Sequence, residues 1–203
     1  MDGFLTITDS LSSFPRDNIP FEERIINQCS ERNNIRARKV TGKNIMHCLD
    51  IVRNKSLDLK HFSNSVKFSK AYIMLGFAES RYKTTQSWQI WFEVCLKSIV
   101  LELKECGYDI CLCLPCIKSD NMPSEHRDWL NKALESIKSI SASLNCQTLN
   151  MGLISTKDWR YPEYSSISSL AKSISSNLEY SINSKQIKHT KCLEKKRTFI
   201  LRG

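Results

Sequence analysis

Ala71-Tyr72-Ile73-Met74-Leu75-Gly76 decides the fold. Five largely apolar residues in a row leave no polar face, and a glycine closes the run. A half-solvated strand alternates polar and apolar residues. An unbroken run suits a parallel strand covered on both sides. Downstream, Ile110 to Leu114 repeats the pattern and ends at Pro115, and Thr148 to Ile154 makes a last strand. Upstream, Phe4-Leu5-Thr6-Ile7-Thr8 is a short β-like run ending in the polar cluster Asp9-Ser10-Leu11-Ser12-Ser13. Ile35 to Val40 alternates apolar and basic residues, as a half-covered or edge strand would, and Gly42 follows at its end.

Helical patterns separate these runs. Phe21 to Arg32 is amphipathic, with Phe21, Ile25, Ile26 and Cys29 on one side. Asn44 can cap a helix from Ile45 to about Arg53. Ser87 to Cys106 reads as a long helix in which Trp88, Trp91, Phe92, Leu96, Ile99 and Leu103 form a core stripe, and Gly107 stops it. Ser124 opens another helix, to about Leu144. An irregular turn at Asp158 to Pro162 precedes a final helix from Ser165 to Tyr180. Strict alternation of strand and helix predicts an α/β protein, a three-layer α/β/α sandwich on a five-stranded parallel sheet with right-handed crossovers. One domain is expected over residues 1–184, followed by a basic C-terminal extension, 185–203.

Composition narrows the function classes. With 203 residues, 41% hydrophobic and 25% charged, the chain is neither disordered nor low-complexity over most of its length. No run approaches the roughly 20 apolar residues of a membrane-spanning helix, and MDGFLTITDS carries no secretory pattern, so a cytoplasmic protein is expected. The net charge is +9, but seven Lys/Arg and one Glu lie between Lys185 and Gly203. The body is therefore not a strongly basic nucleic-acid-binding domain. The tail reads first as a solvated terminus, with an anionic partner as the minority reading. Nine cysteines in a chain without an export signal read as small buried hydrophobes. Cys113 and Cys116 have C-x-x-C spacing, but a second pair at zinc-site spacing is missing, and neither a metal nor a cofactor is expected. The same segment reads as a buried strand in which neighbouring cysteines point to opposite faces.

In a parallel sheet the working groups sit beyond the C-terminal strand ends. Four loops should meet there: Thr8-Asp9-Ser10-Leu11, Val40-Thr41-Gly42-Lys43-Asn44, Gly76-Phe77-Ala78-Glu79-Ser80 and Asp158-Trp159-Arg160-Tyr161-Pro162. Each alone is a turn signal. Together LTITDSLS, VTGKNI, YIMLGFAES and KDWRYP resemble, in order and spacing, the four blocks of the SGNH (GDSL) hydrolase family. Those blocks are Gly-Asp-Ser-Leu, a Gly, Gly-x-Asn-Asp and Asp-x-x-His. The resemblance covers roughly residues 3–182. It implies a flavodoxin-like strand order 2-1-3-4-5 and an esterase or acyl transferase. DSLSSFPRDNIPFEE, together with a Gly76 loop lacking Asn, is similar to members associated with surface-polysaccharide biosynthesis, which implies an acylated carbohydrate or other small-molecule ester as substrate.

The resemblance places Ser10 as nucleophile, Asp158 as triad carboxylate and Gly42 as a backbone oxyanion donor, with Gly76 heading the third block. Two positions depart from it: Ala78 stands where the oxyanion Asn belongs, and Tyr161 where the general-base His belongs. Thr8 also replaces the first glycine. Tyrosine titrates near pH 10 and is a poor base at neutrality, so the catalytic set reads as degenerate. His47 and His126 fall near the active edge and are the candidate replacement bases. His61 should lie at the opposite end, and His189 is in the tail. Trp159, Tyr161 and Tyr164 could stack on a sugar, and Arg81 and Lys83 could meet an anionic substrate. A catalytically inactive protein binding a glycan or protein partner through the old pocket is the alternative. An adaptor using the Lys185–Arg202 tail is the third reading.

Overall fold

The computed structural model describes residues 1–9, 19–76, 86–118, 122–155 and 164–200, without the side chains of 86, 115–118, 151–155, 164–166 and 186–200. The strands are β1 (Asp2–Asp9), β2 (Ile35–Gly42), β3 (Ser69–Met74), β4 (Asp109–Lys118) and β5 (Gln147–Ser155). The helices are α1 (Phe21–Asn27), α2 (Ile45–Asn54), α3 (Ser56–Asn64), α4 (Gln86–Glu105), α5 (Ser124–Ser143) and α6 (Tyr164–Ile200). Every strand pair is parallel and the order is β2-β1-β3-β4-β5. All five C-terminal ends therefore face one edge, as the alternation of elements predicts.

The two sheet faces bury different layers. Leu5, Ile7, Ala71, Ile73, Ile110 and Leu112 pack under α2, α3, α4 and α5. Phe4, Tyr72, Met74, Cys111 and Cys113 pack under α1 and α6. Cys111 and Cys113 thus share a face, against the expectation of opposite faces, because residues two apart in a strand point the same way. Of the seven cysteines whose side chains are described, six are buried and all seven are free thiols. Burial, with Glu179 nearby, pushes the Cys29 thiol up to about 11, which suits an inert core residue.

Polar bonds fix the α6 layer. Lys70 Nζ, inside the fold, donates to Gln147 Oε1 and to Ser181 Oγ, both at 2.6 Å. Desolvation holds this ammonium below the ordinary lysine value. Tyr72 donates its hydroxyl hydrogen to Asn177 Oδ1 at 3.1 Å. Lys185, the first residue of the basic stretch, is docked on the body: Nζ lies 2.9 Å from Asp109 Oδ2 and 4.6 Å from the centre of the Phe68 ring.

Five local expectations change. The helix read to Arg32 stops at Asn27 and is followed by a separate turn, Arg32–Asn34. Helix α3 has no strong sequence signature, since only Leu57, Leu59 and Phe62 are apolar among its nine residues. Strand β4 continues through Pro115 to Lys118, with a register shift between Leu114 and Cys116. A proline has no N–H for the ladder, and an irregularity is where a sheet accommodates one. Trp91, read as core with Trp88, is 55% exposed, whereas Trp88 packs against the core. The final helix passes Tyr180 and runs to Ile200, with no glycine or proline to stop it. Among the described residues no helix is long and apolar enough to cross a membrane.

Candidate active site

The β1–β2 register sets Asp9 beside Gly42 and Thr8 beside Thr41, whose hydroxyl oxygens are 3.3 Å apart. On the other side Thr8 pairs with Met74, two residues before Gly76. Three of the four loops singled out in the sequence therefore leave adjacent strands at one edge.

Asp9 is fully buried, and its Oδ2 accepts the Gly76 N–H at 3.1 Å. A carboxylate inside a protein needs such donors to offset desolvation, and here the donor is the backbone of the neighbouring loop. Gly76 is held from its other side too: its carbonyl accepts Trp129 Nε1–H at 3.2 Å. Trp129 in turn meets the Phe92 ring edge-on, with centroids 5.7 Å apart. At φ +111°, Gly76 occupies backbone space that side chains disfavour, while an added Cβ would be at ordinary contact distance, 3.4 Å, from Phe92. Conformation, not crowding, selects glycine there. Neither the Asp9 carboxylate tie nor the Trp129 anchor was recognised from sequence. Asp9 stood out only as the residue before Ser10, and Trp129 is one apolar position in a helical stripe.

An Asp9→Ala substitution tests the tie. It strands a buried N–H and should cost about 1–3 kcal/mol in urea unfolding. Asp9→Asn, which keeps an acceptor oxygen, should recover part of that loss. Equal stability of the two variants would remove the bond from the account.

Gly42 is required for space. A Cβ there would lie 2.6 Å from Cys48 Sγ and 2.7 Å from the Cys48 backbone nitrogen. Cys48 also donates its thiol hydrogen to the Thr8 carbonyl, at 3.4 Å. The first turn of α2 is thereby pressed onto the ends of β1 and β2. Asn44 caps that helix by accepting the His47 N–H at 2.9 Å, as read from the sequence.

The histidines divide clearly. His47 is exposed, and its Nδ1 accepts the Lys43 N–H at 3.1 Å. His126 stands half-buried in the first turn of α5, at the active edge. His61 lies in the last turn of α3, which leads into the start of β3, so it belongs to the opposite edge as expected. Ser10, Ala78, Arg81, Lys83, Asp158, Trp159 and Tyr161, with the side chains of Tyr164 and His189, lie outside the described residues. Among the described residues no group of three or more His, Cys, Asp or Glu could hold a metal ion.

The whole fold superposes on those of solved lipolytic enzymes and esterases. The fold is one that lipolytic enzymes share. A lipase/acylhydrolase from Enterococcus faecalis superposes with a TM-score of 0.68 at 9% identity, over 89% of this chain and 97% of the other. A member of the lipolytic G-D-S-L family from Veillonella parvula gives 0.60 at 10% identity, over 85% and 96%. A carbohydrate acetylesterase from Sinorhizobium meliloti gives 0.64 at 12% identity, over 89% and 99%. No family model matches the chain. No curated protein matches it in sequence. At such identities the likeness is one of fold.

Proposed function

We propose that this chain is an SGNH-type ester hydrolase or acyl transferase acting on acylated carbohydrate. The observation that carries the reading is the Asp9–Gly76 bond beside Gly42, which gathers the first three sequence blocks on adjacent strand ends. In this reading Ser10, the residue after Asp9, attacks the acyl carbonyl. The Ser10 and Gly42 backbone N–H groups stabilise the oxyanion. Asp158 orients the base, and Gly76 shapes the wall opposite Gly42.

Chain reach supports pairing the first and last blocks. Three inter-strand steps separate β1 from β5, roughly 14 Å. Asp158 follows Ser155, the end of β5, by three residues, which can reach at most roughly 10 Å. The proposed pairing needs the two side chains to make up the remainder.

Ala78 and Tyr161, at the Asn and His positions, make the catalytic set degenerate and turnover slow. His47 and His126, both at the active edge, are the candidate replacement bases. The carbohydrate preference rests on the similarity of DSLSSFPRDNIPFEE to polysaccharide-associated members, and an acetylated sugar is the substrate class to try first.

A fluorophosphonate probe should label Ser10 and leave Ser10→Ala unlabelled, with hydrolysis of short acetyl esters lost in parallel. Absence of labelling between about pH 6 and about pH 10 would overturn the enzymatic reading in favour of a catalytically inactive, partner-binding pocket.

A further inference from the structure

We propose that the outer face of α4 is the two-fold interface of a homodimer. Helix α4 lies between α2 and α5 on one side of the sheet, and its inner side is fully used: Phe92, Leu96, Ile99, Val100 and Leu103 are all at or below 1% exposure. Its outer side is apolar as well. Ile90 is 59% exposed, Trp91 55%, Val94 52% and Leu101 42%. A helix that is apolar on both sides is built to be covered on both sides. By contrast, the outward positions of neighbouring α5 are polar, including Asp128, Lys132, Glu135 and Lys138.

The stripe identifies its own occupant. Ile90, Val94, Lys97 and Leu101 follow a four-three-four spacing, the seam of a packed helix pair. The seam is symmetric about the midpoint between residues 95 and 96, with an apolar side chain at each end and Val94 and Lys97 at its centre. A two-fold, antiparallel pairing sets Ile90 against Leu101 of the second copy and Val94 against Lys97. That is the self-complementarity an isologous interface requires. Charge agrees. Antiparallel packing brings each Lys97 within one residue of the other copy's Glu93, whereas a parallel pair would oppose two lysines. Glu93 is already held in place, its Oε1 accepting Ser136 Oγ–H at 2.6 Å and Gln89 Nε2–H at 3.5 Å.

The area suffices. A 20-residue helix is about 30 Å long, and neighbouring helices lie about 10 Å apart. The face made by α4 and its two flanking helices is therefore roughly 800 Å², the size of a standard interface per partner. Met46 on α2 and Leu57 on α3 are further exposed apolar residues, at 44% and 72%. The polar surface of α5 forms a rim.

Sedimentation equilibrium of the full chain decides the matter. The expected mass is twice 23.5 kDa. Val94→Lys and Leu101→Glu should each weaken association at least about tenfold while leaving the circular dichroism spectrum and melting temperature as in the parent chain. Carbodiimide treatment of mixed light and heavy isotope-labelled copies should join Glu93 of one to Lys97 of the other. A monomer at every concentration up to about 100 µM, a range in which a standard interface associates, would assign the stripe to a different partner and overturn the proposal. A dimer indifferent to both substitutions, or one lacking the mixed crosslink, would also overturn it.

Discussion

Tyr161→His is expected to raise hydrolysis of short acetyl esters by about 10²–10⁴-fold over the parent chain, the ordinary contribution of a positioned general base. Tyrosine at neutral pH keeps its proton and cannot take one from a serine hydroxyl. Histidine three residues after Asp158 would supply an imidazole that the carboxylate can hold in the productive tautomer. The gain should appear in kcat more than in KM, because the base acts on the transition state and adds no contact to bound ester. It should follow the ionisation of an imidazole, rising through about pH 6–7. In the proposed reading Ala78 stands at the oxyanion-Asn position and would set a ceiling, since a missing oxyanion donor costs about 10²–10³. A folded Tyr161→His variant no faster than the parent would show that KDWRYP is not the fourth block.

Gly42→Ala is expected to destabilise the fold by about 2–3 kcal/mol, the cost of overpacking a tight site. For a chain of this length that lowers the melting temperature by roughly 5–10 °C. One added methyl group has two obstacles, Cys48 Sγ at 2.6 Å and the Cys48 backbone nitrogen at 2.7 Å. They differ in kind. Cys48→Ala removes the sulfur but not the backbone, so the Gly42→Ala/Cys48→Ala pair should recover only part of the loss. Full recovery would mean that the first turn of α2 can move away. No loss in the single variant would mean that α2 does not press on the strand ends. The same substitution should lower any ester hydrolysis, because the Gly42 N–H is a proposed oxyanion donor.

The fold was legible because its signals are local. Unbroken runs such as Ala71–Leu75 and Ile110–Leu114, alternating with amphipathic stretches, leave few architectures other than a covered parallel sheet. The Asn44 cap and the Gly107 stop were legible for the same reason, each depending on a few consecutive residues. Helix α3 escaped because three apolar residues in nine do not mark a face. The passage of β4 through Pro115 escaped because a break in the pairing with β5 is a property of two strands, not one. Trp91 was misjudged because a tryptophan in an apolar stripe looks the same whether the stripe meets the sheet or the outside.

The residue sequence by itself determined the parallel sheet, the edge at which its loops gather, and Gly42 and Gly76 as positions to watch. Only the tertiary structure decided that a buried Asp9 carboxylate grips the Gly76 N–H across 67 residues of chain, and that a tryptophan from α5 secures the same glycine from behind. It also decided that His47 spends its acceptor nitrogen on Lys43. The physical reason is range. Burial patterns and turn preferences are set by residues a few positions apart. Hydrogen bonds between loops depend on register and helix placement, which exist only once the sheet has formed.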